Sequence, residues 1–167
     1  MIETVIDQVA LSVKKNIVVV LGSHRDEILR QIGNKPVHFC VNENYMDGTL
    51  SSVICGFKAL PKSASAALLF LGDQPGIPYT VTNKVIETWL RNNKGIVIPV
   101  FDGRRGHPGL FETKYISEIE KLDPTKGLRI LSEIYKNDVF EVECNDSAIL
   151  RDIDTPEEYQ MEINKKL

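Results

Sequence analysis

Ala66-Ala-Leu-Leu-Phe-Leu71-Gly-Asp-Gln-Pro75 is the stretch that decides the fold. Six apolar residues in a row, without polar alternation, leave no side for water. Such a run reads as a strand covered on both faces, as in a parallel sheet between layers of helices. Gly72 and Pro75 break the run, so Asp73 is expected just past the C-terminal end of a central strand. In open α/β sheets ligands bind at that edge. A carboxylate there suits a divalent cation held against phosphate oxygens. The competing reading makes Asp73 a cap for the helix after Pro78.

The same alternation extends outward. Residues 17–21, 37–41, 96–100 and 139–142 read as further strands, and Leu110 with Phe111 as a short one. Between them lie helical patterns over residues 26–32, 51–60, 115–122 and 127–135, the last with Leu128, Ile130, Leu131 and Ile134 facing inward. Another carries Val85, Ile86, Trp89 and Leu90, with Thr80 or Thr82 as its cap. Strand and helix alternating in this way imply an α/β fold, a mostly parallel sheet with helices on both faces. Ile2, Val5, Ile6, Val9, Ala10 and Val13 form one helical stripe. It is already running at Met1 without a cap, so the reading expects a helix whose lead-in is cut away. Asp154-Thr-Pro-Glu-Glu158 opens the last helix, with Asp or Thr as cap and Pro at its first position. No repeat or linker divides the chain, and residues 1–167 are expected to form a single domain.

With 167 residues, a domain buries roughly 70% of its unfolded surface, so one core suffices. Net charge is −3 and no basic stripe stands out, which argues against nucleic acid as the main partner. Cys40, Cys55 and Cys144 form no CxxC pair; two of them lie in apolar or small-residue contexts and read as packed thiols, fitting a reducing cytoplasm. No apolar run is long enough to span a bilayer, and no signal-peptide pattern opens the chain.

Four segments carry candidate chemistry. Asp73, Asp152 and Asp154 come from the ends of separate elements. Two carboxylates converging on one Mg²⁺ would leave positions open for phosphate oxygens, although Asp154 read alone is a helix cap. Asn44, Gly48, Thr49, Ser51 and Ser52 precede a helix. Main-chain N–H groups and short hydroxyls there suit an anion, or a nucleotide base and ribose. The loop Gly103-Arg-Arg-Gly-His-Pro108 offers glycines for close approach and Arg104 or Arg105 for a phosphate; the plainer reading is a hairpin with solvated arginines. His107 precedes a proline and should be extended. His24 and His38 are isolated.

Taken together, these segments resemble the molybdenum-cofactor nucleotidyltransferases, most closely the cytidylyltransferase branch. The likeness runs over nearly the whole chain. It rests on Asn42-Glu-Asn-Tyr-Met-Asp-Gly48 followed by Ser51, Ser52 and Gly56, on Leu71-Gly-Asp-Gln-Pro75, on Pro99 and Gly103 through Pro108, and on Asp152-Ile-Asp-Thr-Pro-Glu-Glu-Tyr159. The resemblance implies a nucleotide-diphospho-sugar-transferase-like three-layer α/β/α sandwich. It implies Mg²⁺-dependent transfer of CMP (or GMP) from CTP (or GTP) to molybdopterin, with pyrophosphate leaving. By position, Asp73 is implied as the main metal ligand and Asp154 as the second, with Asp152 a further candidate. Ser51 and Ser52 are implied near the base or ribose, with Asn44 and Gly48 in the same loop. Gly103, Arg105, Gly106 and His107 are implied on the acceptor side. A molybdoenzyme that receives the finished cofactor is an implied partner.

The chain departs from that family in one segment. The family opens with a strand and a glycine-rich loop of the form L-A-A-G-x-S-x-R-x-G-x-x-K, which cradles the triphosphate. No such segment occurs in these 167 residues. Residues 1–13 resemble the helix that follows it. The expectations are therefore a domain truncated at its N-terminus, a first strand missing from the sheet, and impaired catalysis. Two other readings stand beside this one. One is a nucleotidyltransferase for a sugar or polyol phosphate. The other is a degenerate, non-catalytic domain that binds a ligand or forms a homodimer across its open sheet edge.

Overall fold

The computed structural model describes residues 1–13, 16–123 and 127–164. Seven strands are described: β1 (Val18–Leu21), β2 (His38–Val41), β3 (Ala66–Leu69), β4 (Ile96–Phe101), β5 (Arg104–Arg105), β6 (Gly109–Glu112) and β7 (Val139–Glu143). The helices that connect them are α1 (Ile2–Ser12), α2 (Arg25–Ile32), α3 (Thr49–Lys58), α4 (Tyr79–Arg91), α5 (Ile116–Ile119), α6 (Arg129–Ile134) and α7 (Pro156–Asn164). No described helix is long and apolar enough to cross a membrane.

β4 shows how period-2 alternation builds two cores from one strand. Ile96 and Ile98 point to one face and join Phe111 of β6 and Leu50, Phe57, Ile119 and Leu131, the inward residues of α3, α5 and α6. Val97 points to the other and joins Val81 and Val85 of α4, with Leu110 and Val142. A third cluster, Ile6, Val19, Leu21 and Ile32, ties α1 and α2 to β1. Helices thus cover both faces.

The strands form two sheets. β1 and β2 pair in parallel. The second sheet runs β3-β6-β4, with β5 and β7 both on β4. Its pairing is mixed: β4–β7 is parallel, whereas β3–β6, β4–β6 and β4–β5 are antiparallel. The expected mostly parallel sheet therefore holds for β1–β2 and β4–β7 alone. The cause is the connection of residues 102–108. A parallel crossover needs about a dozen residues, and this one reverses at once through Asp102 (φ 49) and Gly103 (φ 71). Two consecutive positive-φ residues give the hairpin twist that an Asp-Gly pair favours.

Three local expectations change. β3 ends at Leu69 and its residues are half-buried, not sealed on both faces. Neither Thr80 nor Thr82 caps α4; the helix starts directly after Pro78, and Thr82 is buried within it. Ile134 is 59% exposed, because α6 is under two turns long and seats only Leu131 and Ser132. Cys40 Sγ lies 3.5 Å from Cys55 Sγ. Burial first, and the neighbouring thiol second, push Cys40 up to about 12, which keeps it an inert packed thiol.

Candidate active site

The turn after β3 is fastened to the segment leading into α7. Ile153 donates its main-chain N–H to the Asp73 carbonyl at 2.9 Å. Gln74, 4% exposed, donates Nε2 to Asp152 Oδ1 at 2.6 Å. Residues 78 positions apart in sequence thereby place Asp73 and Asp152 together. Asp73 Oδ1 is buried without a hydrogen-bond partner, as is Gln74 Oε1. Leaving a buried acceptor unsatisfied costs its desolvation, more so for a charged group. A cation meets that need directly.

The donor set fits such an ion. Mg²⁺ keeps several waters and binds through one or two carboxylates plus substrate phosphates. Among the described residues no three His, Cys, Asp or Glu side chains gather into a cage. The ion's remaining positions would then belong to water and phosphate. Asp152 is the carboxylate the structure ties to the Asp73 segment. Asp152 and Asp154 are both exposed; what separates them is the Gln74 hydrogen bond to Asp152, whereas the Asp154 main-chain N–H donates to Glu158 Oε2 at 3.0 Å. The cap of α7 is Thr155: its Oγ1 accepts from the Glu158 N–H at 3.2 Å, and Glu158 Oε2 accepts from the Thr155 N–H at 3.1 Å. This reciprocal capping box leaves the Asp154 carboxylate out of the cap. Thr155→Ala should cost about 1 kcal/mol locally, read as faster amide exchange over residues 157–160 with the core unchanged.

His107 faces the same region. Its Nδ1 lies 3.3 Å from the Leu69 carbonyl, so the Nδ1–H tautomer donates there and leaves Nε2 with a lone pair. Burial pushes its pKa below the usual histidine value, against the opposing pull of the Leu69 carbonyl, Asp152 and Asp73. A histidine held neutral when folded takes up its proton more readily when unfolded. Stability should therefore fall as pH drops through about 6.5, the unfolded value, and level off below the lower folded value. Urea unfolding at pH 7.5 and 5.5 checks this. The His107→Gln variant should lose that part of the slope.

The loop of residues 42–52 is organised by Asn42, a residue absent from the sequence-based candidates for the site. It is 5% exposed. Its Nδ2 donates to Ser51 Oγ (2.8 Å) and Ser52 Oγ (3.0 Å), and its Oδ1 accepts from the Asn44 N–H (3.0 Å). Ser51 Oγ donates onward to the Asn44 and Gly48 carbonyls. Gly48, at φ 98, begins α3 without a side-chain cap. The detectable signal was a strand followed by Asn42, six residues ahead of the Gly48 that begins a helix carrying Ser51 and Ser52.

The hairpin closes the other side. Arg105 is held by Glu141 of β7 (Nε to Oε1 2.6 Å). Arg104 has no ion pair among the described residues. Gly106 is packed: an added Cβ would sit 2.3 Å from the Ile149 carbonyl oxygen, which accepts the His107 N–H at 3.0 Å. Thr49, Leu71, Arg104 and His107 line one cavity of about 750 Å³, within the range of about 300–1,000 Å³ typical of small-molecule sites. The α3 start, the end of β3 and the hairpin thus open on a common cleft at one sheet edge.

The sequence profile of the MobA-like NTP transferase domain matches residues 1–139. The chain belongs to this family. It is 25% identical over 151 residues to the molybdenum cofactor cytidylyltransferase of Escherichia coli strain K12, covering 90% of this chain and 75% of that protein. Its fold superposes on the manganese complex of Rv0371C from Mycobacterium tuberculosis H37Rv with a TM-score of 0.82 at 20% identity, over 98% of this chain and 86% of the other. It superposes on 4-diphosphocytidyl-2C-methyl-D-erythritol synthase from Anaerococcus prevotii with a TM-score of 0.76 at 19% identity, over 99% and 85%. The fold is thus that of the nucleotidyltransferases, and the chain is an NTP transferase domain of the MobA-like type.

Proposed function

We propose that this MobA-like domain performs cytidylyl transfer from CTP to the phosphate of molybdopterin, in a reducing cytoplasm. An acceptor phosphate oxygen attacks the α-phosphorus, the α–β phosphoanhydride bond breaks, and its electron pair leaves with pyrophosphate. The unpartnered buried oxygen of Asp73, at the end of a strand and beside Asp152, carries this reading. It is the group best suited to hold Mg²⁺, which when bound supplies charge neutralisation for the phosphates. Ser51, Ser52 and the main chain from Asn44 through Gly48 form the proposed nucleotide side. On the acceptor side, Arg104 is the hairpin arginine without a competing carboxylate, since Glu141 already engages Arg105. Gly103 permits the turn that presents it. His107, kept neutral, offers Nε2 to a polar acceptor group.

Toward a triphosphate the described residues contribute the proposed cation-binding carboxylates Asp73 and Asp152, while Arg104 lies on the acceptor side. That is little charge compensation for a leaving pyrophosphate, so the reaction of these 167 residues alone is expected to be slow. Pyrophosphate release from CTP and from GTP, with Mg²⁺ and molybdopterin, tests the proposal. The chain is run beside a version extended upstream in the native reading frame. Turnover with CTP by the extended protein supports it. Turnover only with a sugar or polyol phosphate as acceptor overturns the assignment of substrate.

A further inference from the structure

The amide of Gln74 is satisfied at one end only. The residue is 4% exposed. Its Nε2 donates to Asp152 Oδ1 at 2.6 Å, whereas its Oε1 is buried without a hydrogen-bond partner. Asp152 fixes which end is which, because turning the amide over would set Oε1 against a carboxylate oxygen. A buried carbonyl left unpaired costs free energy that a methionine or leucine of like size would not. Such groups are few in a native fold, and each calls for a reason.

Fastening the turn after β3 to the segment before α7 is not that reason. The neighbouring residues already do so, since the Ile153 N–H holds the Asp73 carbonyl at 2.9 Å. Ile153 is itself 3% exposed and anchors its segment in the core. What Gln74 adds is a grip on one side chain, an exposed carboxylate that would otherwise turn among its rotamers. The grip is also neutral. A lysine or arginine in its place would cancel the charge that attracts a divalent cation. An amide N–H orients the carboxylate and leaves its charge intact.

We propose that Gln74 is a positioning residue for the cation: it holds Asp152 beside Asp73 and thereby selects Asp152 over Asp154 as the second carboxylate. The unpaired Oε1 is what the fold tolerates to keep that grip. Asp154 lies two residues on, past buried Ile153, where its main-chain N–H is engaged by Glu158. The inference rests on the cation reading of Asp73. It concerns how the ion is held and stands whichever nucleotide or acceptor the domain uses.

Mn²⁺ alone is the probe, titrated into the full chain without nucleotide and followed by electron paramagnetic resonance. Gln74→Met should bind it about 10–100-fold more weakly, the usual loss when a group that orients a metal ligand is removed. Its unfolding midpoint without metal should stay near the parent's, because losing the hydrogen bond and removing the unpaired carbonyl act in opposite directions. Adding Gln74→Met to Asp152→Asn should weaken binding no further, since the residue it acts through is already changed. Asp154→Asn should bind Mn²⁺ as the parent does. Gln74→Ala takes the place of the methionine variant if the latter does not fold. A lower midpoint with unchanged Mn²⁺ affinity overturns the proposal, because Gln74 would then only fasten the turn. So do additive losses in the double variant, or a loss in Asp154→Asn equal to that in Asp152→Asn. Mn²⁺ binding that is absent in the parent, or indifferent to Asp73→Asn, overturns the cation reading and this proposal with it. Binding that depends on Asp73 but not on Gln74 overturns the proposal alone.

Discussion

Replacing Asp73 by asparagine should lower pyrophosphate release by about 10²–10³-fold, the loss seen when one preorganised charge-stabilising group is removed from an active site. The unfolding midpoint should stay level or rise. Asn keeps the shape of the side chain while removing a negative charge that lies beside Asp152 and whose Oδ1 has no partner. A stabilising loss of charge that abolishes activity is the signature of a functional group strained by its site. Binding of Mn²⁺, followed by electron paramagnetic resonance, should weaken in the same variant. If activity survived and the midpoint fell instead, Asp73 would be a structural residue and the proposed cation site would be wrong. The measurement belongs on both the present chain and the upstream-extended one, so that a low starting rate does not hide the effect.

Gly106→Ala should destabilise the protein by about 1–3 kcal/mol, which for a domain of this size lowers the midpoint by about 2–12 °C. The new methyl would meet the Ile149 carbonyl oxygen at 2.3 Å and Ile149 Cγ1 at 2.7 Å. Ile149 is fully buried, and its carbonyl already holds the His107 N–H. Neither partner has room to yield, so the hairpin must move and carry Arg104, Arg105 and His107 with it. Gly103→Ala is the informative contrast. Its Cβ would meet open space, and the cost is the positive φ alone, about 1–2 kcal/mol. An alanine at 106 that spared stability and reduced only activity would show that this glycine serves ligand approach instead of packing.

The hairpin shows how far the candidate site was legible before folding. Asp102-Gly103 announced a turn, and the seven residues from 102 to 108 were already too few for a crossover. The hairpin reading of this loop already implied an antiparallel return, which the expectation of a mostly parallel sheet did not carry through to β6 between β3 and β4. Pattern did locate Asp73, because a purely apolar run followed by Gly-Asp has few outlets in an α/β chain. It could not say that Asp152, instead of Asp154, would be tied to Asp73. That depends on Gln74 reaching across 78 positions to Asp152, a contact without local signal. Asn42 opens a motif that carries the family resemblance, but its own role was illegible for a similar reason. A polar residue after a strand looks like an ordinary loop start until its side chain is seen bridging two serines and a main-chain N–H.

The sequence by itself determined the elements: which runs are strands, which stripes are helices, and which carboxylates and glycines stand at their ends. Periodicity and turn chemistry act within a few residues, so they can be read locally. The tertiary structure alone decided which unlike ends meet and which arginine is neutralised by Glu141. Those outcomes depend on hydrogen bonding and packing between segments far apart in the chain, where the free energy belongs to the pair and to neither residue alone.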